Sequence, residues 1–116
     1  MAKVLVVDDD PAISRMISLT LRSAGFEVRT APNGAVALEQ VESQQPEVIV
    51  LDLEMPVLDG RGFFRELRRK GYTTPVLIVS ANGAKAACRE LDANDSLAKP
   101  FAFEELTSKL ERLLPA

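Results

Sequence analysis

Three short apolar runs constrain this chain more than anything else in it: Lys3-Val4-Leu5-Val6-Val7, Glu47-Val48-Ile49-Val50-Leu51 and Pro75-Val76-Leu77-Ile78-Val79. Each is rich in β-branched residues, too short for a buried helix, and apolar at consecutive rather than alternating positions. Such a strand needs cover on both faces, which is the situation of a central strand in a parallel sheet between helical layers. Phe26-Glu27-Val28-Arg29-Thr30 alternates instead and reads as a more exposed strand, and Ser96-Leu97-Ala98 as a short fifth.

Helical patterns fill the gaps. Asp10-Pro11 is a start signal, with Asp as N-cap and Pro in the first turn. Ile13, Met16, Ile17, Thr20, Leu21 and Ala24 follow at helical spacing, forming the expected inward face, and Gly25 supplies the stop. Asn33-Gly34 opens a second helix with Ala35, Leu38 and Val41 inward, ending before Pro46. A third runs from about Gly60 to Lys70, with Phe63, Phe64 and Leu67 inward and Gly71 as terminator. A fourth, around Ala84 to Leu91, is short and alanine-rich, and the last turns Phe103, Leu106, Leu110 and Leu113 to one side. The order is β-α five times over, and right-handed crossovers make it an open, doubly wound α/β sheet with helices on both faces.

At 116 residues the chain is expected to form a single domain, residues 1–116, with no output domain attached. Its 47% hydrophobic and 27% charged residues are those of an ordinary globular protein. A lone cysteine, Cys88, has no internal disulfide partner and reads as a small half-buried residue, which suits a reducing cytoplasm. No apolar run approaches the ~20 residues of a membrane-spanning helix. Met1-Ala2-Lys3 and the short run behind it lack a signal-peptide cleavage pattern. The net charge of −3 argues against direct nucleic-acid binding, and no membrane partner is expected.

Ligands of open parallel sheets bind beyond the carboxyl ends of the strands. Asp8, Asp9 and Asp10 follow the first strand, Asp52 the third, Ser80 the fourth, and Lys99-Pro100 the fifth. Two carboxylates ~4 Å apart repel by about 4 kcal/mol at a surface-like dielectric, which a hard divalent cation relieves. Mg²⁺ takes a few carboxylates plus water and phosphate oxygens, so a partly protein-built site suits it. A neighbouring Asp could then attack a phosphoryl group to give an acyl phosphate, with Mg²⁺, Lys99 and Ser80 covering the equatorial oxygens. Taken singly, each feature has a plain structural reading: Asp10 as the helix cap, Asp59-Gly60 as a turn, Lys-Pro as a surface dipeptide. Their occurrence at one sheet edge favours the chemistry.

Val6-Val7-Asp8-Asp9-Asp10, Leu51-Asp52-Leu53-Glu54-Met55-Pro56-Val57-Leu58-Asp59-Gly60, Val79-Ser80-Ala81 and Leu97-Ala98-Lys99-Pro100-Phe101 together resemble the response-regulator receiver domain, over essentially the whole chain. The resemblance implies a flavodoxin-like sheet of strand order 2-1-3-4-5. It makes Asp52 the phosphoacceptor and Asp8, Asp9, Asp52 and the main-chain carbonyl of Glu54 the Mg²⁺ ligands. Ser80 becomes the hydroxyl that turns toward the phosphoryl group and Lys99 its cationic partner, with a cis Lys99–Pro100 peptide and a small Ala81 that lets the phosphoryl group approach. Glu54 and Asn82 would flank the route of attacking water and tune the lifetime of the acyl phosphate. Two departures stand out: Ser96 occupies the place of the family's usual aromatic residue on the fifth strand, and the segment from Ser80 to Lys99 is shortened at the expense of the fourth helix.

Because the chain has no histidine, a partner histidine kinase or histidine phosphotransfer protein would have to supply the phosphoryl group. The implied role is a cytoplasmic phosphoacceptor switch in two-component signalling, not an enzyme acting on external substrates. It would have a downstream protein target and homodimerise through the face of fourth helix, fifth strand and fifth helix. Arg61, Arg65, Arg68 and Arg69 form a basic stripe on the third helix, read as a solvated face or a dock for an acidic partner. Two alternatives compete: a receiver-like scaffold that binds its partner unphosphorylated, and an aspartate-nucleophile phosphatase using Asp8 in an Asp-x-Asp pair with Asp10. The latter lacks a hydroxyl at Ala12 and room for a substrate cap.

Overall fold

The computed structural model describes residues 2–55 and 58–114. Pro56 and Val57, quoted in the motif after the third strand, lie outside the described residues, as does Met1. Five strands alternate with five helices: β1 Lys3–Val7, α1 Pro11–Ser23, β2 Glu27–Ala31, α2 Gly34–Ser43, β3 Val48–Asp52, α3 Gly60–Arg69, β4 Val76–Ser80, α4 Ala84–Leu91, β5 Asp95–Ala98 and α5 Phe103–Leu113. All strand pairs are parallel, in the order β2-β1-β3-β4-β5, as expected from the pattern and the resemblance.

The consecutive apolar positions are explained by cover on both sides. Leu5, Val7, Ile49, Leu51, Val76 and Ile78 pack with Val41, Phe63, Leu67 and Ala87 of α2, α3 and α4. Val4, Val6, Val48, Val50, Leu77 and Val79 pack with Ile17, Leu21, Leu106 and Leu110 of α1 and α5. Alternate residues of one strand thus serve opposite cores, as the two-residue period of a strand requires.

Two helices are rotated relative to the sequence reading. In α1 the buried face is Ser14, Ile17, Ser18 and Leu21, while Met16, expected inward, is 44% exposed. Burying the serines costs little, because the Ser18 hydroxyl donates to the Ser14 carbonyl at 2.7 Å. In α2 the buried residues are Gly34, Ala37 and Val41; Ala35 is exposed and Leu38 half-buried. Phe103 at the start of α5 is also exposed, whereas Leu106 and Leu110 are buried. The α3 face is as read, with Phe63, Phe64 and Leu67 inside.

Caps hold the helices where the sequence marks them. The Asp10 carboxylate accepts from the Ala12 and Ile13 N–H groups, Asn33 from Val36, and Asp59 from Gly62. The first turn of α3 lies so close to the end of β3 that a Cβ on Gly60 would stand 2.5 Å from the Asp52 carbonyl oxygen and 2.6 Å from Leu53 Cα. Only glycine fits there, so Asp59-Gly60 is more than a turn: it lets α3 approach the strand end that carries Asp52.

Candidate phosphoacceptor and metal site

The strand register assembles the site. Val7 lies beside Leu51 and Ser80 beside Ala98, so the next residues along the chain put Asp8 next to Asp52 and Lys99 next to Ser80. Asp8 and Asp52 are buried, at 4% and 8% exposure, whereas Asp9 is open to solvent. One carboxylate oxygen from each of the three lies within 4.8 Å of the others. Lys99 Nζ stands 3.3 Å from Asp8 Oδ2 and 3.8 Å from Asp52 Oδ1. Asp10 points away as the α1 cap, as read, but its N–H donates to Asp8 Oδ1 at 2.9 Å and so fixes the Asp8 carboxylate. That second duty has no sequence signature, because it uses the backbone.

Crowding leaves a mark on Asp52. Burial, first, and then the Asp8 carboxylate push its carboxyl up from 3.8 to about 6; the Lys99 ammonium and the Glu54 N–H pull it down, and Asp9 adds a smaller upward push. Lys99 alone therefore does not neutralise the cluster. Three hard carboxylate donors, two of them buried and one facing water, fit a divalent cation that keeps part of its hydration shell. The donor set suits Mg²⁺ and offers no soft ligand that would favour zinc.

Ser80 is 2% exposed, and its hydroxyl donates to the Asn82 carbonyl oxygen at 2.9 Å. The Lys99–Pro100 peptide is cis. Glu54 and Asn82 are both exposed at the rim. Beside the rim, Ile13, Met16, Ala81, Lys99, Pro100 and Phe101 line an apolar hollow of about 280 Å³. Exposed Met16 belongs to this hollow.

The basic stripe does not survive folding as a stripe. Arg61 pairs with Glu90 of α4 at 2.9 Å, and Arg69 pairs with Glu66 one turn earlier. Arg68 turns inward over the Phe64 ring, 4.6 Å from its centroid, and donates to the Tyr72 and Thr74 carbonyls and to Asn94 Oδ1. Arg68 is thus a structural clamp rather than part of a docking surface. Cys88 is half-buried, its thiol donating to the Ala93 carbonyl at 3.4 Å. Ser96 lies on β5 opposite Ile78, and β5 carries no aromatic residue.

A doubly wound α/β sheet that gathers three carboxylates and a lysine at its carboxyl edge defines the class of fold and site. Within it the chain belongs to the response regulator receiver domain family, whose family model matches residues 4–111. It is 42% identical over 115 residues to the transcriptional regulatory protein PrrA of Mycobacterium tuberculosis, an alignment covering 97% of this chain and 49% of PrrA. The chain spans about half the length of the curated relatives it matches. Among solved structures it is similar to the chemotaxis protein CheY4 of Vibrio cholerae, at 39% identity and a TM-score of 0.90, covering 98% of this chain and 99% of that one. It is also similar to the response regulator TrrA of Thermotoga maritima in complex with Mg(2+)-BeF, at 32% identity and a TM-score of 0.90, covering 98% and 100% of the two chains. The chain is therefore a receiver domain of the two-component kind, a phosphoacceptor switch, and neither alternative reading is favoured.

Proposed function

We propose that this receiver domain accepts a phosphoryl group on Asp52 from the phosphohistidine of a partner histidine kinase or phosphotransfer protein. An Asp52 carboxylate oxygen bonds to phosphorus as the phosphorus–nitrogen bond breaks; the electron pair leaves with the imidazole, which takes up a proton. Asp8, Asp9, Asp52 and the main-chain carbonyl of Glu54 would hold Mg²⁺, which when bound supplies positive charge for the phosphoryl oxygens. The Lys99 ammonium, already between Asp8 and Asp52, supplies a second cation, and the Ser80 hydroxyl turns to donate to a phosphoryl oxygen. The observation that carries this reading is the buried Asp52 carboxylate, with Lys99 Nζ at 3.8 Å and the Asp8 and Asp9 oxygens within 4.8 Å.

Asp52 must be ionised to attack, and in the metal-free chain its carboxyl sits near pH 6. The added positive charge favours the nucleophilic form. The apolar hollow beside the rim suits the apolar side chains of a donor protein seated over Asp52. We assign residues 1–116 to one receiver unit that promotes only its own phosphorylation and dephosphorylation, in the cytoplasm. A downstream protein and a second copy docking on the α4–β5–α5 face would read its state. Glu54 and Asn82 at the rim tune access of water to the acyl phosphate, so a Glu54→Ala, Asn82→Ala double variant should lose its phosphoryl group at an altered rate; an unchanged rate would remove that assignment.

The test is intact mass after incubation with Mg²⁺ and acetyl phosphate, with Asp52→Asn alongside. Wild type should gain one phosphoryl group and the variant none. A gain in both, or in neither, refutes Asp52 as the phosphoacceptor.

A further inference from the structure

The turn from β2 into α2 reaches further across the sheet than its own strand does. β2 pairs with β1, and β1 separates it from β3. Yet the turn is bonded to the chain beyond both of those strands. The Ala31 carbonyl accepts from the Asp8 N–H at 3.1 Å, and the Gly34 N–H donates to the Leu58 carbonyl at 3.1 Å. Asn33, just before Gly34, fixes the start of α2 by accepting from the Val36 N–H at 2.9 Å. Asp8 stands at the end of β1, and Leu58 follows β3 in the connection that also carries Glu54. One short turn thus holds both of the loops that bear the proposed metal ligands.

The fit between Gly34 and Leu58 has no slack. A Cβ on Gly34 would stand 2.6 Å from the Leu58 carbonyl oxygen, 2.9 Å from its Cγ and 3.0 Å from its Cβ. Gly34 is buried, and Leu58 is half-buried against the core beneath α2 and α3. Beyond Leu58, the Gly60 N–H donates to the Leu53 carbonyl at 3.0 Å. Glu54 itself is exposed, between buried Leu53 and Met55. A carboxylate ligand can swing on its side chain to meet a cation, whereas a main-chain carbonyl goes only where the backbone goes. Mg²⁺ demands near-octahedral geometry at about 2.0–2.1 Å, so the carbonyl ligand depends most on how its loop is held. We propose that the turn 31–34 is a brace between the two metal-bearing loops, with Gly34 and Leu58 as positioning residues for the Glu54 carbonyl. The effect on metal rests on Glu54 as a Mg²⁺ ligand; the brace itself does not.

Amide NMR of the metal-free protein, followed by titration with Mg²⁺, tests the two parts separately. Gly34→Ala forces a Cβ against the Leu58 main chain, so the Glu54 and Gly60 amide signals should move before any metal is added. Mg²⁺ should then bind about tenfold more weakly, as when the support of a metal ligand is lost. Leu58→Ala, which empties the contact without forcing the backbone, should act in the same direction by less. Val41→Ala, fully buried further along α2, also costs stability through a cavity but should leave the Glu54 signal and the Mg²⁺ affinity as in wild type. Unmoved Glu54 and Gly60 signals in Gly34→Ala, or in Leu58→Ala where Gly34→Ala does not fold, overturn the brace. Moved signals with wild-type Mg²⁺ affinity, or an equal loss of affinity in Val41→Ala, overturn Gly34 and Leu58 as positioning residues for the metal. A wild-type protein that binds no Mg²⁺ refutes the metal reading instead, and the metal-free signals still decide the brace.

Discussion

Replacing Asp52 with asparagine should stabilise the metal-free protein at neutral pH, and the size of the effect follows from the site. In the folded chain the Asp52 carboxyl is raised from 3.8 to about 6 by burial and by Asp8, net of the opposing pull of Lys99 and the Glu54 N–H. Between these values the folded protein holds a proton that the unfolded chain has already lost. Stability therefore falls as pH rises through that window, and the loss is complete above about pH 6. At 1.36 kcal/mol per pH unit the interval amounts to about 3 kcal/mol, which is an upper figure because water and ions reach the open side through Asp9. Asparagine keeps the shape and removes the charge. In EDTA at pH 7.5, Asp52→Asn should be more stable than wild type by about 2–3 kcal/mol, a rise in Tm of roughly 10 °C for a domain of this size. At pH 4 the two proteins should unfold nearly together. Urea and thermal unfolding followed by circular dichroism at both pH values supply the comparison, and taking the difference between variant and wild type cancels the other carboxylates. Adding Mg²⁺ at about ten times its dissociation constant should return about 1.4 kcal/mol to wild type and much less to the variant. A variant no more stable than wild type at pH 7.5, or a gap that does not close on acidification, would refute the account of Asp52 as a carboxylate held at electrostatic cost.

Three other substitutions probe separate parts of the same geometry. Lys99→Met removes the cation 3.3 Å from Asp8 and 3.8 Å from Asp52, so a carboxyl-carbon NMR titration should find Asp52 above its wild-type value near 6; an unmoved or lower value would show that Lys99 does not act on it. Gly60→Ala drives a Cβ to 2.5 Å from the Asp52 carbonyl oxygen, and should cost about 1–3 kcal/mol in urea unfolding and weaken Mg²⁺ binding by calorimetry, whereas wild-type values for both would mean that α3 can retreat freely. Arg68→Ala strips the clamp from two loop carbonyls, Asn94 and Phe64 and should cost about 2–4 kcal/mol, against less than about 0.5 kcal/mol for exposed Arg65→Ala; equal losses would dissolve the distinction between them.

The parts of this molecule that were legible in its sequence are those where one residue type does one job. Strands buried on both faces must be apolar along their covered length, and β1, β3 and β4 are, apart from exposed Lys3 at the start of β1 and the site residues Asp52 and Ser80 at the ends of β3 and β4. Side chains at strand ends must meet at the sheet edge, so Asp8, Asp52, Ser80 and Lys99 could be gathered without coordinates. Helix orientation was less legible because small polar residues can be buried cheaply. Ser14 and Ser18 lie under α1 with the Ser18 hydroxyl satisfied by the turn above it, and Met16 is turned outward toward the hollow beside Phe101. The four arginines of α3 look alike in sequence, but the fates of three depend on the partners that folding brings to them: Glu90 for Arg61, Glu66 for Arg69, and Asn94 with two loop carbonyls for Arg68. Interactions made by the backbone, such as Asp10 N–H to Asp8 and Asn82 carbonyl to Ser80, leave no trace in residue identity at all.

The two edges of the sheet divide the work of stability and switching. At the amino edge, Lys3 and Glu47 exchange hydrogen bonds in both directions, Lys70 reaches Glu42 at 2.7 Å, and Arg68 with Asn94 ties α3, β4 and the start of β5 together. The carboxyl edge holds the unfavourable terms: two buried carboxylates sharing one lysine, a carboxyl displaced to about 6, and a short helix capped by a left-handed glycine. Local opening should therefore be cheapest around Ala81–Ala87 and dearest in β1, β3 and β4, where apolar burial is complete on both faces. Such a gradient is what a switch of this size requires. A phosphoryl group can redirect only elements whose hold on the sheet is worth no more than the few hydrogen bonds and charges it brings. A uniformly stable domain would bind the same ligand and report nothing.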